Sequence, residues 1–128
     1  MSPSRLNEMA EDRIKKAIET AGRLFGKPMD AGLTTDELSK LSFGHIYGEI
    51  WSRPGLDLKS RSLGVVAALV ALDKPAEMRI HLQGALNIGW TRSELRELFF
   101  QLGYYAGFPA AIEALKLLDE IAARERAG

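Results

Sequence analysis

The chain contains no cysteine. That absence excludes disulfides, thiolate metal sites, thiol nucleophiles and Cys-x-x-Cys redox chemistry. Histidine is scarce, with His45 and His81 the only two, so acid–base and metal chemistry reduce to a short list. A catalytic zinc site would need carboxylates at spacings the sequence does not offer, and no metal is expected. Charge of one sign is lacking as well. The 17 basic and 17 acidic side chains cancel, leaving no electrostatic pull toward nucleic acid or an anionic membrane. Long apolar runs are missing: the most apolar segment, Leu63 to Leu72, falls short of the roughly 20 residues that cross a bilayer. The charged N-terminus, MSPSRLNEMAEDRIKK, does not resemble a signal peptide, and a cytoplasmic location is expected. There is no P-loop, no GxGxxG, no repeat and no strand-like alternation.

What is present reads as helix. At 128 residues the chain has the length of one domain and can bury roughly two thirds of its unfolded surface. Residues 1–32 read as an N-terminal helix and linker, and 33–128 as the body of a single compact domain. Ser2-Pro3 caps and starts a first helix with Leu6, Met9, Ile14, Ala17, Ala21 and Leu24 on one face. Gly26, Pro28 and Gly32 end it. Thr34-x-x-Glu37 reads as a capping box for a second helix through Leu38, Leu41, Ile46 and Ile50. Gly44 and Gly48 weaken that helix and permit close approach by another backbone. Arg53-Pro54-Gly55 breaks it.

Asp57 then caps a third helix, Leu58 to Leu72, whose GVVAALVAL run is apolar on almost every side. Such a helix must be buried centrally or in an oligomer interface. Pro75 opens a fourth helix and Gly89 ends it. Thr91-x-x-Glu94 is a further capping box before Leu95, Leu98, Phe99 and Leu102. Gly107-Phe108-Pro109 interrupts, and a last helix runs from Pro109 toward Ala123. The fold class is all-α, five or six helices. Phe99, Phe100, Tyr104 and Tyr105 crowd both faces of one helix, and exposed apolar patches of that kind mark partner surfaces. A homo-oligomer is expected.

Among chemistry-bearing residues, His81 lies mid-helix with Met78, Leu82 and Ala85 as its i−3, i+1 and i+4 neighbours. It is either a core histidine satisfied by one hydrogen bond or, with an ordinary pKa of about 6.5, a proton donor at neutral pH. His45 and Glu49 stand four apart on a helix, a spacing that usually gives a surface contact. Arg61, one turn inside an apolar helix, either snorkels to solvent or lines a pocket as a carboxylate ligand. On residues alone the reading ends at a helical, oligomeric domain with one candidate polar pocket.

One stretch carries more. GEIWSRPGLDLKSRSL, followed by HLQGALNIGWTRSELRELFFQLGYYAGFPAA, closely resembles the carboxymuconolactone decarboxylase family. The matching elements are Gly48-Glu49-Ile50-Trp51, Arg53-Pro54-Gly55-Leu56, Arg61-Ser62, His81 with Gly84-Ala85, Gly89-Trp90-Thr91, and Tyr105-Ala106-Gly107-Phe108-Pro109. They run in the family's order and spacing from about Leu33 to Leu118. Before Gly48 the family often has tryptophan or phenylalanine where this chain has Tyr47.

The resemblance implies an all-α fold shared with the alkylhydroperoxidase D group, assembled as a trimer or hexamer. The peroxidase branch of that group uses Cys-x-x-Cys, which falls here at about Lys74 and Glu77, so the decarboxylase branch is left. The implied reaction takes carbon dioxide from 4-carboxymuconolactone to give the β-ketoadipate enol-lactone. The lactone is its own electron sink, so no cofactor is expected. By this resemblance His81 is the general acid, Glu49 orients or recharges it, and Arg61 anchors a carboxylate or the developing oxyanion. Trp51 and Tyr105 wall the pocket, Arg53 guides the anion inward, and His45 and Tyr47 complete the substrate-contacting set. Two other readings stand beside this one: an enzyme of the same fold acting on another conjugated acid or lactone, and a non-catalytic oligomeric binding protein.

Overall fold

Ser2 begins the first helix by accepting a hydrogen bond from the Arg5 amide on its hydroxyl, and Pro3 supplies a preset φ at the first helical position. In the computed structural model, which describes residues 1–29 and 36–127, this helix is α1, Pro3–Phe25. Gly26 stops it in the left-handed region, at φ 71°. Ala17, Thr20, Ala21 and Leu24 form its buried face. The expected apolar stripe extends further toward the N-terminus than the burial does. Leu6 and Met9 remain about half exposed, because no element of this unit covers the first turns.

Two further helices follow in α2, Glu37–His45, and α3, Leu58–Ala71, separated by a π-helical turn at Ile46–Ile50. Thr34 lies outside the described residues, so the capping box proposed on it is not seen. The cap is Asp36, whose carboxylate accepts from the Ser39 amide at 2.7 Å and the Ser39 hydroxyl at 2.6 Å. Those bonds hold the Asp36 carboxyl below its usual range. The helix runs through Leu38 and Leu41 as expected, but they do not form its packed face. Leu38 and Leu41 are exposed, and the face that packs is Phe43, Gly44, Tyr47, Gly48 and Trp51. The glycines decide this, since a face with two missing side chains lets a second helix come closer than one built from leucines.

The remaining helices are α4, Pro75–Ile88, α5, Arg92–Ala106, and α6, Phe108–Ala127. Pro75 opens α4 and Gly89 ends it at φ 119°. Thr91 and Glu94 form a complete capping box, with the Glu94 carboxyl held low by its bonds to Thr91. Gly107 separates α5 from α6, which begins one residue earlier than Pro109. Six α-helices and no strand occur among the described residues, an all-α architecture.

The chain divides into two compact units, residues 1–58 and 59–128. In the first, Ala17 and Ala21 of α1 pack with Phe43, joined by Ile18, Phe25 and Tyr47. In the second, Val66 and Val70 of α3, Leu82 of α4, Phe99 of α5 and Leu118 of α6 share one core. Ion pairs tie its helices at the rim: Arg79 to Glu120 at 3.0 Å, and Arg92 with Arg96 to Asp119. The apolar α3 buries only Ser62, Val66 and Val70 completely, and its flanks stay partly open. No helix among the described residues is long and apolar enough to cross a membrane.

Candidate active site

In the first unit the π-helical turn carries the candidate residues Tyr47 and Glu49. The Trp51 amide donates to the Ile46 carbonyl at 2.8 Å, the i→i+5 bond that defines such a turn. Ser52 Oγ donates to the Gly48 carbonyl at 2.8 Å and closes the helix end. One side of the segment is an aromatic ladder. The Phe43 and Tyr47 rings lie 5.4 Å apart, Tyr47 and Trp51 5.7 Å apart, and Phe25 of α1 meets Tyr47 edge-on at 5.9 Å. Trp51 is only 5% exposed. Burial pushes the Tyr47 phenol up to about 12, so it stays protonated at any working pH.

The other side carries the charge. Glu49 receives Arg13 Nη2 on Oε1 at 2.7 Å and faces His45 Nε2 from Oε2 at 3.6 Å. The His45–Glu49 contact is the one their spacing predicts. Arg13 is a residue the sequence reading missed, because nothing on α1 marks which side chain reaches Glu49. The Gly44/Gly48 pair did signal a close helix crossing. All three side chains are roughly half exposed, so each pair contributes only about 0.2–1 kcal/mol to stability. Arg53 is exposed in the turn that follows.

In the second unit, Arg61 and His81 occupy equivalent places on two helices. The buried row of α3 is Ser62, Val66 and Val70, and Arg61 stands one position before it. The buried row of α4 includes Met78, Leu82 and Ala85, and His81 again stands one position before Leu82. One residue is about 100° around a helix, so both side chains sit at the edge of the core, half buried. Burial lowers the His81 pKa from its usual value, with the nearby Glu77 carboxylate opposing more weakly.

The start of α3 is fixed by Trp90, another residue without an assigned role in the sequence. Its Nε1 donates to the Lys59 carbonyl at 2.8 Å, and the Lys59 ammonium lies 4.5 Å over the indole ring. Arg61 follows two residues later, so this clasp sets the helix that presents it. Tyr105, on α5, is 85% exposed beside Tyr104 at 81%. Among the described residues no group of three His, Asp or Glu has the arrangement of a metal site.

Chemically, the first unit offers an oriented carboxylate on one side of the turn and an aromatic ladder on the other. The second offers an imidazole that loses its proton easily and a guanidinium at the margin of an apolar core.

Comparison with known proteins agrees in kind. Residues 30–120 match the Carboxymuconolactone decarboxylase family. The chain is 44% identical over 117 residues to the 4-carboxymuconolactone decarboxylase of Acinetobacter baylyi, covering 87% of each. It is 39% identical over 69 residues to the nitrosuccinic acid decarboxylase of Metarhizium robertsii, covering 54% of this chain and 48% of that one. An uncharacterized 15.0 kDa protein of Paracoccus denitrificans is 34% identical over 82 residues, covering 62% and 60%.

Proposed function

The chain belongs to the carboxymuconolactone decarboxylase family and is a carboxy-lyase, and from that premise we propose that it decarboxylates 4-carboxymuconolactone to the β-ketoadipate enol-lactone. The observation that carries this reading is the 44% identity to an enzyme of that name across 87% of both chains. The residue types at the matching motifs suit the chemistry.

The departing carboxylate sits on the ring carbon conjugated through a double bond to the lactone carbonyl. When carbon dioxide leaves, the electron pair of the breaking C–C bond moves through that double bond into the carbonyl. The result is a dienolate that resembles a furan oxyanion. Protonation at the ring carbon beside the former carbonyl gives the enol-lactone. No external electron sink enters the balance.

In this assignment Arg61 anchors a carboxylate or the developing oxyanion through its planar fork. His81 delivers the proton, and Glu49 acts as a fixed carboxylate. Trp51 and Tyr47 form an aromatic wall, while Arg53 and His45 favour an incoming anion. A His81 pKa lowered by burial makes the imidazolium the stronger acid, which suits a donor to a stabilised carbanion. The chain acts as a homo-oligomer, a trimer or hexamer. Support for this comes from the exposure of Phe100, Tyr104, Tyr105 and Phe108 on α5 and α6, an apolar surface larger than isolated side chains require.

A second reading has its own support in the nitrosuccinic acid decarboxylase relative. A nitro group, like an unsaturated lactone carbonyl, accepts the electron pair released with carbon dioxide. The same site would then serve another acid with a built-in sink. Incubating the purified chain with each acid and following carbon dioxide release separates the two. Release from the lactone acid alone supports the first reading, and release from the nitro acid alone replaces it with the second.

A further inference from the structure

The family match begins at residue 30, yet α1 contributes a side chain to the candidate site from outside it. Arg13 Nη2 meets Glu49 Oε1 at 2.7 Å, the length of a charge-assisted hydrogen bond. The other oxygen of the same carboxylate faces His45 at 3.6 Å. Glu49 is thus held from two directions, with the short contact made by the residue that is always cationic.

The backbone secures this contact. A β-carbon at Gly48 would lie 2.5 Å from the Arg13 carbonyl oxygen and 3.0 Å from Arg13 Cγ. One turn earlier, a β-carbon at Gly44 would lie 3.1 Å from Ile14 Cδ1. The two glycines therefore seat the α1 backbone at Arg13 directly against the residue preceding Glu49. The π-helical turn that carries Glu49 is a feature found often at functional sites.

We propose that Arg13 is a positioning residue: from α1 it fixes the Glu49 carboxylate in the orientation the reaction uses. Arg13 acts through Glu49 and does not touch the reacting atoms. The role rests on the assignment of Glu49 under Proposed function. It makes α1, and Arg13 in particular, part of the working enzyme.

A kinetic cycle on the full chain tests it, using Arg13→Gln, Glu49→Gln and the double variant, with the melting temperature of each recorded. Arg13→Gln should lower kcat roughly 10–100-fold, as a small misplacement does, with KM and melting temperature nearly unchanged. The double variant should be no slower than Glu49→Gln, because a residue that acts only through Glu49 has nothing left to position. Arg13→Lys should recover part of the rate. A crystal structure of Arg13→Gln should show the Glu49 carboxylate displaced.

Wild-type kcat in Arg13→Gln, or losses that multiply in the double variant, overturns the positioning role while leaving the function intact. Wild-type kcat in Glu49→Gln removes Glu49 from the reaction and takes this role with it. The crystal structure needs no substrate: a Glu49 carboxylate unmoved in Arg13→Gln overturns the proposal whatever the kinetics.

Discussion

Gly48 and Arg13 approach so closely that a methyl group on Gly48 would come within 2.5 Å of the Arg13 carbonyl oxygen. The obstacle is backbone, which cannot rotate aside as a side chain can. Gly48→Ala should therefore cost about 1–3 kcal/mol as overpacking, more than offsetting the helix-propensity gain of up to about 1 kcal/mol. Gly44→Ala meets side-chain atoms alone, the movable end of Ile14 and, at ordinary contact distance, Arg13, and should stay within about 1 kcal/mol of the wild type. Urea denaturation of both variants checks this, and equal stabilities would contradict it.

That contrast marks the limit of what the sequence makes legible. The helix ends were readable because their signals are local: Pro75 starts α4, Gly89 ends it, and Thr91 with Glu94 builds the box that starts α5. The orientation of α2 was not. Leu38 and Leu41 stay exposed, and the two glycines, invisible to any hydrophobicity pattern, mark where α1 packs. The π-helical turn has no sequence signature beyond those glycines. Arg13 belongs to the same class, since its meaning depends on which helix crosses it. The residues proposed as reactive were named from motif resemblance. Their pattern alone could not separate a core histidine from a proton donor.

His81 gives a pH dependence whose sign follows from burial. Its folded pKa lies below its usual value of about 6.5, so the unfolded chain takes up this proton first as pH falls. The associated stability is fully present above about pH 6.5 and is lost as pH drops through the folded value. Between pH 7 and pH 5 the wild type should lose more stability than His81→Gln. Denaturation curves at the two pH values check this, and equal losses would contradict it. For catalysis the sign is opposite: the free enzyme's acid form disappears as pH rises above its pKa. The kcat/KM should then decline through neutrality by up to about tenfold per unit. A flat profile to pH 8 would contradict the acid role.

Arg61→Lys keeps the charge but not the planar fork. With Arg61 as carboxylate anchor, KM should rise about tenfold or more, the scale of a lost hydrogen bond between charged groups. Arg61 precedes the buried row of α3, so the melting temperature should hardly move. Steady-state kinetics check the first point, and an unchanged KM would make Arg61 a structural residue.

Turnover of 4-carboxymuconolactone by His81→Gln beside the wild type, followed by loss of the conjugated ultraviolet chromophore, reaches the centre of the mechanism. A proton donor removed from an otherwise folded enzyme should leave kcat roughly 10²–10⁴-fold lower at an unchanged melting temperature. The same rate in both proteins would show that the dienolate takes its proton from somewhere other than this imidazole.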